Sequence, residues 1–220
     1  MGLHLVLSAA VLPFAAKCGV LQTFLDGFFP LGTREKILVA ALDIFNELGY
    51  ERATIEEIRR AASVSNGSFF YYFNSKESLA AALFLDSLRS YHSHLVTVLA
   101  GMPAAGDGVA ALVRAHLEWV TNEKRRAVVL FKLTREEWLG SIRADQDAEN
   151  QDFGTKLDAW RTPLEASGHL RQMEIGMFIS QLIGPSQMFC RAWLSGRSKD
   201  DPRKNLEVLV QCAVRTLVLV

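Results

Sequence analysis

The sequence has few cysteines and no excess of charge of either sign, and these two shortages exclude several classes of protein. The 220-residue chain contains only Cys18, Cys190 and Cys212, and none of them forms a C-x-x-C pair. An odd number of widely spaced cysteines argues against a disulfide framework and against a zinc finger. Lysine and arginine number 24, as do aspartate and glutamate, so net charge does not draw the chain toward a polyanion. We expect a protein of the reducing cytoplasm.

Motifs of catalysis and metal binding are also missing. The chain has no phosphate-cradling glycine loop, no G-x-S-x-G elbow and no H-E-x-x-H pair. The adjacent carboxylates Glu136 and Glu137 would diverge on a helix, as would His92 and His94, which are two residues apart. The sequence therefore predicts neither an enzyme nor a protein with a metal or another cofactor.

No stretch shows the alternation of a β-strand, and helical periodicity runs through most of the chain. We predict an all-α protein in which a small N-terminal unit precedes a larger bundle. A connecting helix is expected after Lys76, through Leu79 to Leu99, and Gly101-Met102-Pro103 ends it. Further helices are expected at 109–122, 124–138, 145–165, 173–194 and 205–219, separated by Gly106-Asp107-Gly108, Gly140-Ser141, Ser167-Gly168 and 196–202.

The segment from Thr54 to Leu79 is the most informative part of the sequence. Thr54 and Glu57 form the T-x-x-E pair of a capping box, and Ser65 can cap a second short helix three residues after the first. From Asn66 onward, a rotation of about 100° per residue puts Phe69 and Phe73 on one side and Gly67, Ser68 and Tyr71 on the other. With a helix that starts at Thr33, these elements predict a helix-turn-helix domain.

This region resembles the TetR family of bacterial repressors. The resemblance rests on a set of matches in order and spacing over about fifty residues: Gly49-Tyr50, Thr54, Ile58, Ala62, Val64-Ser65, Gly67, Tyr72-Phe73, Lys76-Glu77 and Leu79. The sequence departs from the family pattern at Arg59, where alanine is usual, at Ser63, where glycine is usual, and at Phe70, where tyrosine is usual. A positive φ at Ser63 would cost about 1 kcal/mol.

The resemblance implies a homodimer that binds an inverted-repeat operator on double-stranded DNA and responds to a small-molecule effector. We predict domains at 33–80, for DNA binding, and 81–220, for ligand binding and dimerisation. Asn66, Ser68 and Tyr71 are candidates for base contacts. Ser65 and Gly67 would lie against the sugar-phosphate backbone, and the family pattern adds Thr54, Tyr72 and Lys76. The alternative is a helical ligand-binding or interaction protein whose helix-turn-helix domain has lost its affinity for DNA.

The C-terminal region yields two further predictions. Its aromatic side chains suggest an apolar effector pocket lined by Trp119, Phe131, Trp138, Trp160 and Phe178. The last helix is apolar over most of its circumference, which favours burial by both core and partner, with an interface at Phe189, Trp193, Leu209, Ala213 and Leu217. A central helix of a monomer is the alternative for this last helix. Gly184-Pro185 could kink a helix to open a cavity, or only steer the chain around the bundle.

Residues 1–32 differ in composition from the rest of the chain. Their apolar run from Leu3 to Ala16 contains Pro13, and no basic residue precedes Lys17. A secretory signal needs a positively charged start, and a membrane span needs a longer apolar run. We therefore predict no membrane partner, and we interpret residues 1–32 as a non-native or mis-annotated extension.

Overall fold

The computed structural model describes residues 32–219 apart from 133–136, and it does not describe the side chains of residues 132 and 137–139. The prediction for residues 1–32 therefore lies almost wholly outside the described residues. The described chain forms nine α-helices: α1 Thr33–Leu48, α2 Ile55–Ala61, α3 Asn66–Tyr72, α4 Lys76–Thr97, α5 Ala105–Asn122, α6 Lys124–Lys132, α7 Arg143–Ala166, α8 Ile175–Leu194 and α9 Leu206–Leu217. Short 3-10 helices span Glu137–Ile142 and Pro202–Asn205.

The first three helices and the start of α4 share one small core. Helix α1 packs on α2, α3 and α4, and the side chains between these helices are fully or almost fully buried: Ile37, Ala41, Phe45, Ile58, Phe69 and Leu79. The turn between α2 and α3 passes through Ser63 at φ 54°. The positive φ that the family's usual glycine would tolerate is therefore adopted by a serine.

Helix α4 is continuous across residue 80 and joins this unit to the C-terminal bundle. In the bundle, α9 packs mainly on α5 and α8, while α4 packs on α6 and α7. Helix α6 also reaches α1, where Arg125 pairs with Asp43 and Asn46 Nδ2 donates to the Arg125 carbonyl oxygen at 3.2 Å. None of the helices within the described ranges is both long and apolar enough to cross a membrane.

One predicted helix boundary is wrong. Helix α5 begins at Ala105, so Gly106-Asp107-Gly108 lies inside a helix rather than between helices. Gly108 lets the ring of Trp160 pack against the backbone of α5, because an added Cβ would lie 2.2 Å from a ring carbon of Trp160. Of the predicted helix 124–138, the structure shows α6 up to Lys132 and a 3-10 helix from Glu137, and residues 133–136 lie outside the described residues. Pro185 lies inside α8 without ending it.

A polar cluster sits within the apolar bundle and ties three helices together. Tyr91 Oη lies 2.8 Å from His116 Nδ1, and Cys190 Sγ lies 3.7 Å from His116 Nε2. Burial lowers the pKa of His116 to about 3 and raises the pKa of the Cys190 thiol to about 12. The imidazole is therefore neutral and the thiol protonated near neutral pH, as a buried hydrogen-bonded cluster requires.

Candidate DNA-binding face and ligand cavity

Capping side chains fix the start of both helices of the helix-turn-helix motif. The Thr54 hydroxyl accepts from the Glu57 N–H at 3.2 Å, and the Glu57 carboxylate accepts from the Thr54 N–H at 2.9 Å. The hydrogen bonds from Thr54 also hold the pKa of the Glu57 carboxyl below its usual value. At α3, Ser65 Oγ accepts from the Ser68 N–H at 3.0 Å. Both caps are the ones that the sequence predicts, and they set the direction of α3.

The recognition helix α3 divides its aromatic residues between core and solvent. Phe69 and Phe73 are buried, at 0% and 4% exposure, whereas Tyr71 is 81% exposed. Tyr72, at 41%, packs edge-on against the ring of Tyr71 with 4.9 Å between centroids. Asn66 and Gly67 are exposed and Ser68 is half-buried. The predicted contact residues of α3 therefore share an outward surface, which we call the α3 face: Ser65, Asn66, Gly67, Ser68, Tyr71 and Tyr72.

Phe70 belongs beside the α3 face, although the sequence does not single it out as a contact residue. Its ring is 43% exposed. It leans edge-on against Phe69 with 5.3 Å between centroids. A phenylalanine exposed beside the DNA-contact candidates offers apolar contact to a thymine methyl group or a sugar. The sequence feature that could have identified Phe70 as a contact residue is its position one helical turn after Asn66.

Gly67 has no reason within the molecule to be glycine. A Cβ built on it would meet nothing nearer than Ser65 Oγ, at 4.0 Å. Glycine in a helix costs about 1 kcal/mol relative to alanine. A surface outside the chain that comes close to this backbone would explain the absent side chain, and a DNA backbone is such a surface.

Lys76 is engaged inside the protein rather than free for DNA. Its Nζ donates to the carbonyl oxygens of Tyr50, Ala53 and Glu51, at 2.9, 3.1 and 3.3 Å. The ammonium also lies 4.5 Å from the centroid of the Tyr50 ring. These three carbonyls account for all three N–H donors. The geometry does not support the predicted contact of Lys76 with the DNA backbone, and it indicates a residue that holds the turn between α1 and α2 against the start of α4.

Arg59, which stands where the family usually has alanine, makes polar contacts at the turn between α2 and α3. Its Nη1 donates to the Val64 carbonyl oxygen at 3.2 Å, and its Nη2 pairs with Glu56 at 2.6 Å. The stem is therefore folded back over the motif. The turn keeps its helix-turn-helix course despite Arg59 and Ser63, and α3 remains presented outward.

A cavity of about 620 Å³ lies between the C-terminal half of α4 and helix α7. Its apolar lining comes from Val96, Leu99, Ala100, Met102, Phe153, Ala159 and Trp160, and its polar lining from Arg89, His92, Ser93, Thr97, Glu149, Asp152 and Lys156. We call it the α4–α7 cavity. A second, more polar groove lies between α4 and α5, lined in part by Ser90, His94 and Trp119.

The five aromatic residues predicted to form one pocket do not meet in one place. Trp160 lines the α4–α7 cavity, while Trp119 lines the groove beside α5. Phe178 is completely buried, packs against Trp160 with 6.5 Å between ring centroids, and lines neither the α4–α7 cavity nor the groove beside α5. Phe131 is half-buried and packs edge-on against Tyr91, and the side chain of Trp138 lies outside the described residues. Spacing along a helix could not show which side of the bundle each ring would reach.

The predicted dimer interface needs a similar correction. Leu209, Ala213 and Leu217 are buried in their own subunit, at 7%, 5% and 0% exposure, and they present little or no surface to a partner. Phe189 is 46% exposed, and the half-buried Trp193 has the Lys124 ammonium 4.4 Å from its ring centroid. The exposed apolar side chains of the two helices are instead Met177, Met188 and Phe189 on α8 and Val208 on α9, with Cys212 beside them. We call these five residues the α8–α9 face.

Comparison with known proteins agrees with this geometry. Residues 37–83 match the family model described as bacterial regulatory proteins, tetR family. An uncharacterized HTH-type transcriptional regulator of Lactococcus lactis is 25% identical over 152 residues, which cover 69% of this chain and 70% of that protein. The fatty acid metabolism regulator protein of Bacillus subtilis is 22% identical, with 76% and 86% covered.

The fold is also that of solved regulator structures. The structure of the transcriptional regulator FadR from Bacillus subtilis in complex with stearoyl-CoA superposes with a TM-score of 0.70 at 19% identity, and the match covers 82% of this chain and 97% of that one. The family match falls on the same helices that carry the capped turn and the α3 face. The chain is therefore a transcriptional regulator with a TetR-family helix-turn-helix domain at residues 37–83.

Proposed function

We propose that the chain acts as a homodimer that binds an inverted-repeat operator and represses transcription until an effector binds in the helical bundle. The observation that carries the proposal is the α3 face, with Tyr71 four-fifths exposed on a helix whose other side is fully buried. Large aromatic side chains are normally withdrawn from water, and tyrosine is enriched where a protein surface meets a partner, so the exposure of Tyr71 indicates a binding surface.

Each side chain of the α3 face has a role that follows from its chemistry. Asn66 can bond adenine through both donor and acceptor, and Ser68 and Tyr71 can bond either kind of base edge. Ser65 and Tyr72 would position the helix through phosphate oxygens. Thr54, at the start of α2, could do so only by giving up the bond that its hydroxyl donates to the Glu57 carboxylate at 2.7 Å. Arg59 is already paired with Glu56 and Lys76 with carbonyl groups, so two of the six cations in residues 33–80 are engaged within the protein. We expect a modest dependence of affinity on salt.

Dimerisation compensates for the small number of contacts that one α3 face can make with DNA. A seven-residue recognition helix contacts few base pairs, and two copies about one DNA turn apart multiply contacts that are individually weak. The α8–α9 face supports this step, because it exposes Met188 at 67% and Val208 at 64% on neighbouring helices. A two-fold contact through these helices would bury both faces at once.

The bundle and the DNA-binding domain are joined physically, which allows an effector to act at a distance. Helix α4 lines the α4–α7 cavity with one half, and its first residue, Lys76, holds the turn between α1 and α2. An effector shifts the equilibrium only if it prefers one position of α4 over another. The related FadR structure holds stearoyl-CoA, which supports an effector with a large apolar part.

Selection of sequences from a random duplex library tests this proposal. The purified protein should enrich an inverted repeat, and Gly67→Ala should weaken binding to it by at least about tenfold because the added methyl group meets the DNA backbone. Gly106→Ala is the matched control, since it also lies in the first turn of a helix with no atom near its added Cβ. If a folded protein enriches no sequence, the chain is the alternative, a bundle with a degenerate DNA-binding domain.

A further inference from the structure

We propose that the α3 face reads adenine and thymine rather than guanine and cytosine, and that Phe70 determines part of this specificity by contacting the C5-methyl group of a thymine. The inference rests on the proposed binding of an operator and adds which bases each half-site presents. Two observations carry it. Helix α3 has no charged side chain, and the ring of Phe70 is exposed at a position where it can offer only apolar contact.

The lack of charge on α3 limits which bases it can read. The helix has the sequence Asn-Gly-Ser-Phe-Phe-Tyr-Tyr, with neither lysine nor arginine and neither aspartate nor glutamate. In the major groove, guanine is most often read by arginine or lysine, which donate to its N7 and O6 atoms, and the amino group of cytosine by aspartate or glutamate. The side chains of α3 therefore lack the groups that usually select a G·C base pair.

The arginines of the preceding helix do not replace the missing charge. Arg59 is folded back across the turn, where it donates to the Val64 carbonyl oxygen and pairs with Glu56. Arg60 lies in the last turn of α2. The first helix of a helix-turn-helix motif crosses the sugar-phosphate backbone instead of entering the groove, so a cation there meets phosphates. Base selection is left to the uncharged residues of α3.

The polar side chains of α3 favour adenine. Asn66 is exposed, and asparagine pairs with adenine through N6 and N7 at once. Tyr71 is 81% exposed, and its hydroxyl can either donate or accept. Ser68 is half-buried, and its Oγ lies 2.8 Å from Ser65 Oγ at the capped start of the helix. Asn66 is thus the polar residue of the α3 face with a definite base preference.

Phe70 adds an apolar contact to this polar reading. Its ring is 43% exposed. The tyrosine that is usual at this position in the family could bond a phosphate oxygen through its hydroxyl, whereas phenylalanine has no such group. The C5-methyl group of thymine is the apolar feature that base edges present in the major groove. Contact between the ring and this methyl group would remove both apolar surfaces from water.

Asn66 and Phe70 are placed to read neighbouring base pairs. Residues four apart lie on the same side of an α-helix, about 6 Å apart along its axis. Successive base pairs lie about 3.4 Å apart along the duplex, so this separation corresponds to about two base-pair steps. We therefore expect each half-site to present an adenine and a thymine methyl group within about two base pairs of each other.

Uracil substitution in the selected operator tests the inference, because uracil differs from thymine only by the missing methyl group. The duplex enriched by the full chain is resynthesised with deoxyuridine at one symmetric pair of thymines at a time, and affinity is measured by fluorescence anisotropy at fixed salt. Loss of one methyl contact should weaken binding about 3–5-fold per half-site, hence about 10–25-fold for the pair. Uracil at the other positions should change affinity by less than about twofold.

Substitutions at Phe70 assign the methyl contact to its ring. Phe70→Ala should remove the uracil penalty, because no ring is left to contact the methyl group. Phe70→Leu keeps an apolar side chain and should retain most of the penalty. Val39→Ala is the matched control, since Val39 is an apolar residue of nearly equal exposure, 44%, on α1, and this variant should keep the full penalty. Thermal unfolding of each variant checks that the fold is intact.

Three results would overturn the inference. These are a half-site whose fixed positions are G·C pairs alone, a uracil penalty that is absent at every position, and a penalty that persists in Phe70→Ala. In the second case, weaker binding of Phe70→Ala to every duplex would place the ring against a sugar. Failure of the proposed function gives a different result, because no duplex is then enriched at all. An enriched inverted repeat that is indifferent to uracil rejects only the reading by Phe70.

Discussion

Helices α3 and α9 place their apolar residues in opposite ways. Helix α3 buries Phe69 and exposes Tyr71, its largest outward side chain. Helix α9 buries Leu209, Val210, Ala213 and Leu217, and its outward side carries Val208 among polar residues. In α3 the residues that matter for binding are the exposed ones. In α9 the most apolar residues pack in the subunit's own core, and a partner would contact only the exposed residues around Val208.

The difference teaches where burial can be predicted from helical spacing. A short helix with one neighbour has one buried side, so periodicity identifies both sides. A long apolar helix in a bundle can be buried by its own subunit, by a partner or by both, and its sequence looks much the same in each case.

Substitutions on the two sides of α3 should give the largest difference between an effect on stability and an effect on DNA binding. Phe69→Ala removes a fully buried ring and should lower the free energy of unfolding by about 3–5 kcal/mol. Tyr71→Ala should change it by no more than about 0.5 kcal/mol and yet weaken operator binding. Urea denaturation and DNA titration of both variants measure these effects. Similar stability losses for the two variants would mean that Tyr71 packs against the protein.

On the C-terminal helices, a comparison of stability with dimerisation distinguishes core residues from interface residues. Leu217→Ala should cost about 2–5 kcal/mol of stability, since Leu217 is fully buried. Met188→Glu places a charge on the α8–α9 face and should shift the protein from dimer to monomer with little loss of helix content. Sedimentation equilibrium gives the dimer constant. An unchanged constant for Met188→Glu would place the partner surface elsewhere.

Lys76 distinguishes a residue that shapes the DNA-binding domain from one that touches DNA. Lys76→Met leaves three carbonyl groups without their donor and should lower stability by about 1–3 kcal/mol. Because it removes no phosphate contact, the slope of log affinity against log salt should stay the same. A slope reduced by about one unit would show that Lys76 does neutralise a phosphate.

Ser63→Gly should have the smallest effect and the opposite sign. Glycine relieves the cost of φ 54° at this position, so thermal unfolding should show a gain of about 0.5–1 kcal/mol. Ser93→Gly, at an interior position near the C-terminal end of α4, should destabilise by a similar amount. A loss in Ser63→Gly would indicate that the serine makes a contact that offsets its backbone strain.

The sequence was sufficient for features fixed by local chemistry. The capping box of Thr54, the cap of Ser65 and the inward Phe69 depend on residues within one or two turns, and each was predicted. Gly108 was read as a helix break because its reason, the ring of Trp160, lies 52 residues further along the chain. The role of Lys76 likewise depends on the carbonyl groups of Tyr50 and Ala53, which only the folded chain brings close.

Spacing of the two half-sites tests the central claim most directly, which is that a symmetric pair of α3 helices reads DNA at a fixed separation. The test compares the selected operator with a version that carries about five extra base pairs, half a turn, at its centre. We predict that two protomers bind the selected duplex. The insertion should weaken binding by at least about a hundredfold, because the second half-site then lies on the opposite side of the DNA duplex from its α3. Equal affinity for both duplexes, or one protomer on each, would contradict the account.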